Sequence, residues 1–276
     1  MAKVYLHPSV ELRLAQLVKD LPQSLVLTGA EGIGLKMVAE KISKDFKATL
    51  ITVLPEKDEK VDLEKGVITV DVIRRLYNTT KTIETGRRII VIDYVERMGV
   101  QAQNAFLKLL EEPGQNTHFI LLTHSLSSLL PTIRSRVQLI EVKPINEAQS
   151  AELLNDLKVV DAQKKAQLLF IAKGLPALMT TLAGDEGAFT ARAQVIRDAR
   201  TYLQGTQYDR LKISLGYKDS RQNALTLLVD AMNLLKGSIN NGQEADVVRK
   251  IGALLKAYER IEANGNVRLQ LASIML

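Results

Sequence analysis

The chain has 276 residues, 46% hydrophobic, 25% charged and 4% aromatic, a composition that supports a buried core and excludes a disordered chain. It has no cysteine, which excludes disulfides and thiolate metal sites, and its net charge of +6 fits either DNA nearby or an ordinary solvated surface. No uncharged apolar run approaches the roughly 18 residues that span a membrane, and the opening MAKVYLHPSVELRL has no apolar signal core, so a cytoplasmic protein of two or three domains is expected.

In chain order, Ser24 to Thr28 (SLVLT) predicts a short strand that stops at Gly29, and helical apolar spacing begins at Met37 with Val38, Ala39 and Ile42. Thr49 to Leu54 and Val67 to Val70 are candidate shorter strands, separated by the mixed-charge loop Leu54 to Leu63 (LPEKDEKVDL). Arg88 to Asp93 (RIIVID) and His118 to Thr123 (HFILLT) are continuous apolar runs, as expected of parallel strands covered on both faces. Between them Gln101 to Glu112 predicts a helix closed by Pro113 and Gly114. Beyond Val142 strand-like runs give way to helices broken at Gly174, Gly184, Gly205, Gly237 and Gly242. The pattern is an α/β domain with a parallel sheet over residues 1–143 followed by helical segments over 144–186 and 187–276, with Pro144 and the stretch GDEG (184–187) as junctions. No internal repeat is present.

The segment from Gly29 to Lys36 (GAEGIGLK) has the glycine spacing of a Walker A loop, in which backbone N–H groups wrap phosphate oxygens at a helix N-terminus. The residues that do the charged work are absent. Leu35 stands where the lysine belongs, and Lys36 where a Ser or Thr would ligate Mg²⁺. A one-residue shift would bring Met37 to the hydroxyl position and turn each side chain by about 100°. A lysine–phosphate bond contributes about 1.5–3 kcal/mol, so productive ATP binding is not expected. A plain glycine turn between strand and helix explains the same residues.

Asp93 ends its strand where an acidic residue would hold Mg²⁺ through water, but Tyr94 follows in place of a catalytic carboxylate and Glu96 lies further along. Asp93 can equally be a strand-terminal carboxylate in solvent. His7, His118 and His124 have no carboxylate at metal-ligand spacing, and Ser125 and Ser135 lack a nucleophile elbow.

The run IIVIDYVERMGVQAQNAFLKLLEEPGQNTHFILLT, followed by LLPTIRSRVQLIEVKP, resembles the bacterial clamp-loader AAA+ subunits of the gamma and delta-prime kind, from Walker B through sensor 1 to the Ser-Arg-Cys segment. The resemblance runs nearly end to end. The opening resembles the lead into the Walker A loop, ITVDVIRRLY the helix start after the second strand, AKGLPALMTTLA the lid helix that carries sensor 2, and YERIEANGNVRLQLASIML the last collar helix. It implies an AAA+ core, a helical lid and a helical collar that joins subunits. It also implies that Gly29, Gly32, Gly34, Lys36, Asp93 and Thr123 line a vestigial nucleotide pocket, with Thr123 at sensor 1. Arg136 then matches the arginine that reaches a neighbour's ATP site, a task suited to a planar, permanently charged fork. Without the resemblance, Arg136 reads as a surface charge beside Arg134.

Three departures stand out. Val137 replaces the family's cysteine, Leu178 stands at the sensor 2 arginine, and the four-cysteine zinc module is missing, with Leu54 to Leu63 in its place. The expectation is a delta-prime-type subunit with no required cofactor, no zinc, and weak or absent ATP or ADP binding. It would work beside gamma- or tau-type and delta-type subunits, a sliding clamp and primed DNA. The alternatives are a gamma-like ATPase in which Lys36 serves, and a free-standing AAA+-derived DNA-binding or adaptor protein.

Overall fold

Five parallel strands form the centre of the first of two units, Met1–Ala183 and Gly184–Leu276, in the computed structural model, which describes residues 3–17, 20–63, 65–80, 86–237 and 244–274. In chain order the strands are β1 (Ser24–Thr28), β2 (Thr49–Val53), β3 (Glu56–Lys57), β4 (Lys60–Val61), β5 (Arg88–Ile92), β6 (Thr117–Thr123) and β7 (Gln138–Glu141). The large sheet has the order β2-β5-β6-β1-β7, and β3 pairs antiparallel with β4. Parallel neighbours need crossover helices, and these cover both faces. The helices of this unit are α1 (Pro8–Leu17), α2 (Leu35–Asp45), α3 (Val70–Thr80), α4 (Val100–Glu111), α5 (Pro131–Arg134), α6 (Glu147–Asp156), α7 (Ala162–Ala172) and α8 (Pro176–Gly184).

The continuous apolar runs are explained by alternation between two covered faces. Ile89 and Val91 of β5, with Ile120 and Leu122 of β6, pack under Val10 and Leu14 of α1 and Val38 and Ile42 of α2. Their neighbours Ile90, Ile92, Phe119 and Leu121 face the other way, against Ile73 and Leu76 of α3 and Phe106 and Leu109 of α4. A strand with two dry faces has no place for a polar side chain in its middle.

Arg88, only 2% exposed, shows what β5 does at its entrance. Its guanidinium donates to the carbonyls of Thr79 (3.0 Å) and Thr80 (3.2 Å) and to Thr117 Oγ1 (3.1 Å). A permanent cation thereby satisfies open carbonyls at the negative end of α3 and ties that helix to β6.

Two sequence expectations need correction. Val67 to Val70 is not a strand: Val67 makes one bridge to Glu56, Ile68 one to Met98, and Val70 already begins α3. The loop Leu54 to Leu63 is not irregular throughout, because Asp58 and Glu59, with φ of 51° and 62°, turn β3 into β4. Two left-handed residues in succession are the backbone of a tight hairpin turn, here without the usual glycine.

The second unit is helical: α9 (Glu186–Gln204), α10 (Gln207–Gly216), α11 (Arg221–Lys236), α12 (Glu244–Glu262) and α13 (Val267–Ala272). Its core gathers Tyr202, Leu227, Leu228, Leu254, Ile261 and Leu271. Tyr202 donates its hydroxyl to the Leu271 carbonyl, and its burial in the core raises its pKa. Arg192 forks onto Asp230 in a largely buried ion pair. Along α12, Leu254 and Ile261 are core, whereas Leu255 is 45% exposed. Asn264 adopts a left-handed φ of 68° and Asn266 caps α13 by accepting the Leu269 N–H, so both asparagines have local backbone roles. The break expected at Gly242 lies outside the described residues.

Candidate functional site

Ligands of open parallel sheets bind outside the carboxyl ends of the strands, and the residues singled out in the sequence come together there. Thr28, the last residue of β1, is in register with Thr123, the last of β6, and Asp93 follows directly on β5. The glycine loop leaves β1 and enters α2 through Gly34, whose φ is 90°. Gly29, Gly32, Gly34, Lys36, Asp93 and Thr123 thus share one edge of the sheet.

Leu35 and Thr123, two of the side chains at positions a nucleotide would need, are engaged otherwise. Leu35 is 4% exposed and belongs to the core beneath the loop, so the lysine position is an anchor of α2. Lys36 is exposed on the first turn of α2, within electrostatic reach of Asp93. Thr123 is 1% exposed and its hydroxyl is committed to its own loop, donating to Ser125 O (3.1 Å) and accepting from Ser125 N (3.0 Å). His124, which sequence reasoning passed over, donates from Nδ1 to the Gly29 carbonyl (2.8 Å) and so braces the loop at its start. Its signal was its place directly after Thr123.

The loop's inner face is turned to protein. Leu178, in the first turn of α8, donates its N–H to the Gly32 carbonyl (3.0 Å). The first N–H groups of a helix have no partner within it, so the loop carbonyl satisfies one of them. A Cβ on Gly32, whose φ is 84°, would lie 2.8 Å from Leu178 Cβ. The close approach that glycine usually grants to a phosphate is used here for α8. Beside the loop a cavity of about 330 Å³ remains, walled mainly by apolar groups such as Ile33, Met37, Val38 and Leu157. On the phosphate side the loop presents neither an inward lysine nor a hydroxyl beside it.

Asp93 is not the solvated carboxylate that its position suggested. Burial raises its pKa, partly opposed by the Tyr94 N–H it accepts (2.9 Å) and by the charge of Lys36. Tyr94 sits at a φ of 55° and opens a short turn, Val95–Arg97, in which Glu96 Oε2 is buried with no hydrogen-bond partner among the described residues. Asp93→Asn should therefore raise the melting temperature at neutral pH. At acid pH both folded and unfolded Asp93 are protonated and the difference vanishes; as pH rises past the ordinary carboxylate value the unfolded chain ionises first and the wild type loses stability. Thermal melts from pH 3 to 8 test this, and a destabilised Asn variant at pH 7 would show that the ionised carboxylate is needed.

Arg136 lies away from this edge, between α5 and β7. Its Nε and Nη2 both reach Glu111 Oε1 (3.1 and 3.0 Å), and Nη1 donates to Thr132 O (3.1 Å). The Arg134 side chain, also exposed, makes no hydrogen bond or ion pair among the described residues. The two arginines therefore differ: one is tethered and the other is not.

Comparison with known proteins places relatives beside this chain. Residues 36–146 match the family model described as DNA polymerase III, delta subunit. The chain is 35% identical over 153 residues to a DNA polymerase III subunit delta' of Pseudomonas aeruginosa, covering 54% of this chain and 44% of that protein. It is 36% identical over 115 residues to the delta' subunit of Haemophilus influenzae, covering 41% and 35%. The matched part thus spans less than half the length of either relative. Among solved structures, a gamma subunit-related protein from Thermotoga maritima superposes with a TM-score of 0.55 at 20% identity over 96% of each chain. That likeness shows the fold, an α/β AAA+ core with a helical C-terminal part.

Proposed function

Because this chain belongs to the gamma/delta-prime family of DNA polymerase III subunits, on its delta-prime side, we propose that it is a non-hydrolysing stator of a clamp loader. In this role it supplies Arg136 to the ATP site of a neighbouring subunit while a sliding clamp is set on primed DNA. Residues 144–186 then serve as lid and 187–276 as the collar that holds gamma- or tau-type and delta-type partners. The observation that carries the proposal is the seating of α8 on the glycine loop, with Leu178 N–H on the Gly32 carbonyl. A loop whose inner face receives a helix, and whose lysine position is core, has lost the means to neutralise a phosphate in the transition state.

The test is titration of the isolated chain with a fluorescent ATP analogue and Mg²⁺, with turnover measured in the same samples. No saturable binding at millimolar nucleotide and no phosphate release are expected. Mg²⁺-dependent turnover that disappears in Lys36→Ala would establish the gamma-like ATPase instead. Co-purification with the other loader subunits of the same cell separates either from a free-standing adaptor.

A further inference from the structure

We propose that Glu111 is the positioning residue for Arg136: it fixes the guanidinium so that one N–H on each terminal nitrogen is presented to the neighbouring subunit's phosphate oxygens. This rests on the trans role given to Arg136 above. A guanidinium has five N–H donors in one plane. Glu111 Oε1 takes Nε–H and lies 3.0 Å from Nη2 as an ion-pair contact, and the Thr132 carbonyl takes one Nη1–H. Nη2 makes no hydrogen bond among the described residues, and the second proton on Nη1 has only a stretched 3.5 Å contact with Ser135 Oγ. A single carboxylate oxygen on the side edge and a carbonyl on the other nitrogen define the plane and direction of the group, while its outer end stays available. A bidentate clamp on an oxyanion needs that end.

The two anchors are held firmly although the pair itself is half-exposed, at 42% for Arg136 and 54% for Glu111. Glu111 is the last residue of α4, and the two residues before it, Leu109 and Leu110, are buried under the sheet. Thr132 is followed by Ile133, which is fully buried. Both partners of the guanidinium therefore sit on elements locked by packing, which is how a reacting group is kept in productive geometry. An exposed pair of this kind adds little to folding, so its geometry calls for a different role. Arg134, two residues earlier and without a tether, shows that position in this turn does not by itself fix an arginine.

The experiment uses the loader reconstituted with its gamma- and delta-type subunits, clamp and primed DNA, and follows ATP turnover with wild type, Arg136→Ala, Glu111→Gln, Glu111→Asp and the Glu111→Gln/Arg136→Ala double variant. Glu111→Gln is expected to lower kcat at the dependent site about tenfold with KM for ATP little changed, since misdirection of a correctly placed group is lost in the transition state. Glu111→Asp should recover part of the rate. The double variant should be no slower than Arg136→Ala, as for residues acting as one unit. Thermal melts of the isolated Glu111 variants should match wild type, which a structural role would not allow. If Arg136→Ala slows turnover and Glu111→Gln does not, the positioning proposal is overturned and the arginine reading stands. If the double variant is slower than Arg136→Ala, Glu111 acts independently and the proposal is likewise overturned. If Arg136→Ala changes nothing, both ideas fall together.

Discussion

Replacing Arg136 by alanine is expected to slow ATP cleavage at the one nucleotide site it faces by about 10³-fold or more, the contribution of an arginine finger supplied in trans. The reason is specific to the side chain. Alanine removes a permanent charge and a planar pair of donors together, at the place where the transferring phosphoryl group gathers negative charge. Single-turnover measurement on the reconstituted assembly reads the affected site directly. Steady-state turnover should fall by that site's share if the sites fire independently, and by more if they fire in sequence. Arg136→Lys keeps the charge and loses the fork, so it should restore only part of the rate. The substitution should leave folding nearly untouched, within about 0.5 kcal/mol, because the side chain is exposed and its partner Glu111 can return to water. Wild-type turnover in the Arg136→Ala assembly would remove the central reason for assigning this chain a place in a neighbour's catalysis.

Much of the core was legible in the sequence, for a physical reason. Strands β1, β5 and β6 are dry on both faces, so they appear as unbroken apolar runs whose ends coincide with the observed strands to within a residue. The errors arose where burial is one-sided. Strand β7 escaped notice because, of Gln138 to Glu141, only Ile140 is buried, as befits a short edge. The β-branched run Val67 to Val70 misled because its residues suit a strand, but Thr69 accepts the Val72 N–H (3.4 Å) and starts a helix there. Helix α1 (Pro8–Leu17) was taken only as a lead into the loop, although Val10, Leu14 and Leu17 give it a buried stripe. In the candidate site, the missing lysine and hydroxyl could be read from Leu35 and Lys36 alone. What could not be read is long-range. Leu178 meeting Gly32, and Glu111 meeting Arg136, join segments far apart in the chain, and each partner by itself looks like an ordinary helix or surface residue. Which basic side chain Glu111 meets, and through which nitrogens, needed the fold.

The glycine loop itself yields the second large effect. Gly32→Ala is expected to destabilise the first unit by about 3 kcal/mol, the sum of placing a Cβ in a left-handed conformation, about 1–2 kcal/mol, and of forcing it against packed neighbours, about 1–3 kcal/mol. For a unit of this size that is a fall in melting temperature of roughly 6–12 °C. The clash is with one atom, Leu178 Cβ, 2.8 Å from where the new methyl would stand. In a Leu178→Gly background that atom is gone, and the same Gly32→Ala change should then cost only the conformational part, about 1–2 kcal/mol; the difference is the coupling between the loop and α8. In a loop that cradles phosphate, the same substitution acts mainly through nucleotide affinity, and Mg²⁺-ATP raises the melting temperature of the unaltered protein by mass action. Here Mg²⁺-ATP should shift neither protein. Two results would contradict this account: an alanine at position 32 tolerated to within about 0.5 kcal/mol, the range of an ordinary surface change, or a melting temperature that nucleotide raises in the wild type but not in the variant. Either would mean that the glycine is kept for a ligand and not for the first turn of α8.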